Sequence, residues 1–147
     1  MAKIERFEDI EAWKKARVLT NKIYGICRTD NFRKDYDLIN QMKRASVSVM
    51  ANIAEGFARR TNKELINFLG MAHGSVAELQ SHLYVALDQK YLARKDFSIL
   101  YDEANGVSKL IQGFVNYLKK FQTQKLLTPN PKTPKLSNSL NPQTLKQ

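Results

Sequence analysis

Residues 38–56 read Leu-Ile-Asn-Gln-Met-Lys-Arg-Ala-Ser-Val-Ser-Val-Met-Ala-Asn-Ile-Ala-Glu-Gly. Leu38, Met42, Ala45, Val49, Ile53 and Gly56 recur at three- and four-residue spacing, the period of a helix with one buried face. No alternation of period two runs through the stretch. The spacing predicts a helix over 35–58. Its apolar surface is wider than one face needs. Val47, Met50 and Ala54 extend the arc to roughly 200°, interrupted by Lys43, where a one-sided helix uses little more than about 100°. Gln41, Arg44, Ser48, Asn52, Glu55 and Arg59 form the remaining polar stripe.

Three further blocks carry the same period. Trp13, Ala16, Leu19, Ile23 and Cys27 predict a helix over 8–28, with Asp9 as N-cap and Phe7 packing ahead of it. Leu65, Phe68, Ala72, Val76, Leu79, Leu83 and Leu87 predict a third over 62–91, capped by Thr61 or Asn62. Phe97, Leu100, Ala104, Val107, Ile111, Val115 and Leu118 predict a fourth over 96–122, starting at Asp96. At about 1.5 Å per residue these are rods of roughly 30 to 45 Å. Short connections between such rods favour antiparallel neighbours, so the fold class is all-α, an up-down-up-down four-helix bundle over residues 1–122. All four prolines lie after residue 122. Residues 123–147 also lack glycine, aromatic and acidic residues. Too little apolar area is available there to offset ordering entropy, and the segment is expected to be a disordered tail.

Gly70, Gly74, Ala77 and Ser81 line up on the third helix opposite its leucine stripe. Glycine within a helix costs about 1 kcal/mol relative to alanine, so this small-residue face predicts close approach of another helix. Together with the wide arc of the second helix it predicts self-association through Val47, Met50, Ala54, Gly70, Gly74 and Ala77.

Candidates for catalysis are few. His73 and His82 are nine residues apart, about 180° around a straight helix, and cannot share a metal from it. Glu78 and His82 stand at i,i+4, and no second pair completes a di-iron set. Cys27 lies on a core face without a local base, and the six glycines form no phosphate-binding loop. The expectation is a protein without enzymatic activity, cofactor, metal or small-molecule substrate. The longest apolar run, Leu83 to Leu87, is far below the roughly 20 residues of a membrane span. With a single cysteine and no secretory leader, the expected location is the cytoplasm.

Lysine and arginine number 24 against 14 acids, a formal charge of +10. That balance favours polyanions through counterion release. The sharpest cation cluster is Arg59, Arg60 and Lys63 at the turn between the second and third helices, with Lys43 and Arg44 along the second. Arg44 is alternatively committed to a structural pair with Glu55. No zinc knuckle, helix-turn-helix spacing or aromatic platform is evident. Phosphate and shape contacts to structured RNA or DNA are therefore expected over base reading.

Gln41-Met42-Lys43-Arg44-Ala45, Ser48 and Asn52-Ile53-Ala54-Glu55-Gly56 with Arg59, followed by Phe68-Leu69, Ala72, Gly74-Ser75 and Glu78-Leu79, resemble a known pattern. It is that of the four-helix-bundle proteins encoded in intervening sequences of bacterial 23S ribosomal RNA genes. Phe7, Trp13, Ala16 and Ile23-Tyr24 fit the family's first helix, and the likeness spans roughly residues 4–121. Arg33 stands where proline is expected after Phe32, Asp37 where glycine is usual, and Lys43 where arginine is usual. The resemblance implies an antiparallel bundle that assembles as a homopentamer, with no assigned enzymatic activity. A related group, the accessory variability proteins of diversity-generating retroelements, forms similar basic pentameric barrels that bind a reverse transcriptase and its RNA. By that analogy the chain is expected to be a nucleic-acid-binding adaptor; the alternative is a protein-interaction scaffold.

Overall fold

Asp35 and Thr61 start the two central helices. The Asp35 carboxylate accepts from Leu38 N at 3.1 Å, and Thr61 Oγ1 accepts from Glu64 N at 3.2 Å. These contacts satisfy amides that a helix N-terminus leaves free. The computed structural model describes residues 3–127, with side chains through Phe121. Within that span lie a 3-10 turn, Phe7–Asp9, and four helices: α1 Glu11–Cys27, α2 Tyr36–Ala58, α3 Asn62–Asp88 and α4 Arg94–Leu127. No strand occurs among the described residues.

Cross-contacts set the direction of each helix. Thr20 reaches Ser46 and Lys43 lies over Tyr24; Ser48 meets Ser75 while Gly56 meets Phe68; Gln80 meets Asn105 while Tyr84 meets Phe97. Along each pair one number rises as the other falls, so the helices run up, down, up, down. The packing is closest between α2 and α3 and loosest between α1 and α4.

The core is built from the predicted stripes. Every position of the predicted core stripe of α2 and α4 is buried, and most of those of α1 and α3. Trp13, Phe68 and Leu87 are instead half-buried, while Ala12, Leu69 and Ala86 go fully inside. Each displaced residue has its replacement immediately beside it in sequence, a small rotation of the stripe. Trp13 is covered by Phe7, whose ring lies 5.1 Å away edge-on, and by Arg17. Phe32 plugs the α1–α2 connection at 0% exposure and packs against Tyr91. Buried Thr20 donates to Ala16 O at 2.8 Å and to Ser46 O at 3.2 Å, so its hydroxyl is matched.

Several ends differ from the sequence expectation. Asp9 does not cap α1: its carboxylate accepts from Glu5 N and Arg6 N, closing the 3-10 turn, and Ile10 takes the N-cap position. Those bonds, from Glu5 N foremost, hold the Asp9 carboxyl below its usual pKa. α3 ends at Asp88 because Lys90 adopts a left-handed backbone, φ 65°, and Tyr91 N donates to Ala86 O at 2.9 Å. That bond completes a helix-terminating motif. α4 begins two residues before Asp96 and continues to Leu127, five residues into the stretch assigned to the tail. No proline interrupts it before Pro129. The rest of the expected tail, 128–147, lies outside the described residues.

Candidate functional site

The α2–α3 hairpin holds most of the residues singled out from the sequence. Gly56 permits it to close: a Cβ there would lie 2.6 Å from Phe68 Cβ. Farther along, Ser48 Oγ and Ser75 Oγ are 2.9 Å apart, and Asn52 donates to Ser48 O and Ser48 Oγ at 2.9 and 3.0 Å. Ser48, Asn52, Gly56, Phe68 and Ser75 thus act together as the fastening of two helices.

Arg59 closes the same seam. Its guanidinium lies 2.9 Å from Glu55 Oε2 and 3.5 Å from Glu64 Oε1, and 5.1 Å from the centre of the Phe68 ring. Donation to Glu55 raises the Arg59 pKa above its ordinary value. The Arg44–Glu55 pair expected from sequence is not formed. Eleven residues of helix separate the two by about 16 Å along the axis, whereas Arg59 is one turn from Glu55.

The five predicted phosphate-contacting cations are therefore unlike one another. Arg59 is committed to Glu55 and Glu64, and Lys43 is half-buried over the Tyr24 ring at 4.9 Å. Arg44, Arg60 and Lys63 are exposed and have no ion pair or side-chain hydrogen bond among the described residues. Arg60 and Lys63 stand together at the α2–α3 turn, where Arg60 takes φ 69° as the helix ends. Arg44 lies roughly 22 Å up the helix by rise alone. One chain does not gather the set at a single point.

The expected interface residues also divide. Val47, Gly70, Gly74 and Ala77 are exposed, Ala54 is half-buried, and Met50 turns inward against the core. Among the described residues, nothing beyond the surrounding turns of α3 itself lies within 4 Å of a Cβ built on Gly70 or Gly74. None of the described helices supplies the close neighbour that these glycines predict.

Sequence reasoning missed two surfaces. Tyr84, 49% exposed, clusters with Phe97 and Tyr101, ring centres 4.8 to 5.6 Å apart. Burial, then the neighbouring Tyr84, pushes the Tyr101 phenol up. The adjacency of Tyr84 to Leu83 and of Tyr101 to Leu100 at the edges of the stripes could have revealed it. The second is a groove of about 410 Å³ between α1 and α4, between Val18 and Leu110.

Among the described residues no three His, Cys, Asp or Glu side chains stand together as metal ligands, and no helix is long and apolar enough to cross a membrane. Cys27 is buried, which pushes its thiol pKa up and disfavours the nucleophilic thiolate. His73 is exposed, and buried His82 Nε2 has no hydrogen-bond partner among the described residues.

The bundle is similar to the crystal structure of a protein with unknown function from the S23 ribosomal protein family of Bacteroides thetaiotaomicron. The TM-score is 0.65 at 20% identity, covering 71% of this chain and 97% of that one. At that identity the likeness concerns the fold. A search of curated proteins finds no match. The sequence itself matches the model of the 23S rRNA-intervening sequence proteins over residues 8–113, from the 3-10 turn through more than half of α4, and neither description names a catalysed reaction. The chain belongs to the 23S rRNA-intervening sequence protein family.

Proposed function

We propose that the chain is a non-catalytic cytoplasmic homo-oligomer, a pentameric ring as the family resemblance implies, that serves as an adaptor for structured RNA or DNA. The observation that carries this reading is the set of exposed, unpaired cations Arg44, Arg60 and Lys63 on a hairpin whose outer side also exposes Val47, Gly70, Gly74 and Ala77. A closed ring repeats those cations around its axis, and polyanion affinity rises with the number of phosphates neutralised.

An anisotropy titration against structured RNAs and duplex DNA at several salt concentrations tests it. Binding should weaken steeply with salt. Arg60→Ala with Lys63→Ala should flatten the log-log slope by about 0.9 per lost duplex phosphate contact, or about 0.7 on single strands, with similar loss on unrelated sequences. Arg59→Ala should change the slope less than the Arg60 and Lys63 substitutions, because Arg59 is already engaged by Glu55 and Glu64. Absence of binding to the whole panel at low salt would remove the nucleic-acid reading and favour a protein-interaction scaffold.

A further inference from the structure

Beside its core stripe, α4 carries a second one. Ile99, Glu103, Gly106, Leu110, Gly113 and Tyr117 follow one another at spacings of 4, 3, 4, 3 and 4, the repeat of a helix that packs along another helix. The apolar members of this stripe face outward: Ile99 is 47%, Leu110 37% and Tyr117 45% exposed, and Val18 of α1 joins them at 49%. Val18 and Leu110 line the α1–α4 groove, with Ile99 and Tyr117 farther along the same stripe, and the wall is cut away at Gly106, whose missing Cβ meets no atom of the described residues beyond its own turn of helix within 4 Å.

The outer face of α3 carries the complement. Asn67, Gly70, Gly74, Ala77 and Ser81 follow at spacings of 3, 4, 3 and 4 and are all exposed. One stripe is large and borders a concavity; the other is small and lets a backbone approach. Their charges also match. Lys15 on the edge of the groove and Glu78 beside the small stripe are both exposed and without an ion pair among the described residues. In the square bundle α1 and α4 share one side, and the outer face of α3 looks away from α1. Among the described residues, the α3 stripe of a copy cannot reach that copy's own groove.

Resting on the self-association reading above, we propose that the α1–α4 groove of one copy receives the outer stripe of α3 from a second copy, with Lys15 set against the second copy's Glu78. The two faces differ, so the contact is head-to-tail and every copy keeps one free face of each kind until the ring closes.

The test uses full-length chain at micromolar concentration, with mass by light scattering and helicity by circular dichroism. Leu110→Arg alters an exposed groove position and Gly74→Leu fills the small stripe. Each variant alone should retain its helicity and fall to a monomer. Mixed in equal amounts they should give a 1:1 dimer, since the first retains a working α3 stripe and the second a working groove. Lys15→Glu should weaken assembly, and adding Glu78→Lys in the same chain should restore it. Wild-type chain that is itself monomeric would overturn the self-association reading and this contact with it. Assembled wild type with an equally assembled Leu110→Arg, or a mixture that stays monomeric, would overturn the groove assignment while leaving self-association standing.

Discussion

The α2–α3 hairpin and the α1–α4 seam are opposite sides of one bundle, and they are closed to different degrees. Across the hairpin run the Ser48–Ser75 hydrogen bond, with Asn52 holding Ser48 from within α2, the Arg59 bridge and the contact of Gly56 with Phe68. Across the seam an ion pair between Lys22 and Glu103 stands beside an open groove. Exposed pairs contribute little to stability on either side, the Arg59 bridge included, so the difference rests on the Ser48–Ser75 bond and the Gly56–Phe68 contact against an open groove. The glycines follow the same division: Gly56 is filled by a neighbour within the chain, whereas Gly106 on the seam and Gly70 and Gly74 outside α3 face open space.

Gly56→Ala should have the largest effect on this contrast. The new methyl would sit 2.6 Å from Phe68 Cβ and 3.1 Å from Leu65 Cδ1, inside two packed helices that cannot part locally. Overpacking of this kind costs about 1–3 kcal/mol. A domain of this size loses about 4 °C of melting temperature per kcal/mol, so thermal unfolding should register a drop of several degrees. An unchanged midpoint would mean that the hairpin is looser than its contacts indicate.

Gly106→Ala should move stability the other way. With no atom of the described residues beyond its own turns of helix within 4 Å of the new Cβ, helix propensity decides, and alanine is favoured by about 0.8–1.0 kcal/mol. The measurement belongs in the Leu110→Arg background, where the seam is freed from a second copy. In the otherwise wild-type chain the same methyl would sit inside the proposed contact, so a gain in the first background and a smaller gain or a loss in the second would separate the two environments.

How legible these regions were depends on what determines each. The cores of α2 and α4 were readable because burial at a fixed period leaves one solution, and Leu38, Met42, Ala45, Val49 and Ile53 all went inside. Gly56 was visible only as a member of a stripe. Its role as the point of closest approach depends on Phe68, twelve residues later, and on the crossing geometry of the two helices. Arg59 was placed among the phosphate contacts because charge can be read from a sequence, while engagement by Glu55 and Glu64 cannot until the turn brings Glu64 back. Asp9 reads as a helix cap in sequence, yet the same residue type can equally close the turn before the helix, as its bonds to Glu5 N and Arg6 N do. The second stripe of α4 was present in the spacing, but the stronger core stripe running beside it masked it.

The smallest effect concerns the other end of the α2–α3 hairpin, where Tyr91 donates from its hydroxyl to Asp35 Oδ2 at 3.0 Å while Asp35 Oδ1 accepts from Leu38 N. This latch joins the start of α2 to the residue just beyond α3, opposite the Gly56 end. The hydrogen bond to Asp35 is the main reason that the Tyr91 phenol is raised above its ordinary pKa, with burial and the Asp35 charge adding to it. A group whose pKa is higher folded than unfolded contributes stability that is fully present below the unfolded value, about 10 for tyrosine. That contribution is lost as pH rises through the folded value. Tyr91→Phe retains the packing against Phe32 and removes the donor, so it should lower the melting temperature slightly at neutral pH. It should also flatten the decline in stability above about pH 10, the range in which wild-type Tyr91 ionises. Comparing denaturant midpoints of the two proteins from pH 7 to pH 11 checks the sign: the gap should be constant at neutral pH and narrow on the alkaline side. Curves that remain parallel throughout would show that the latch is not formed, and would leave the Gly56 end as the hairpin's fastening.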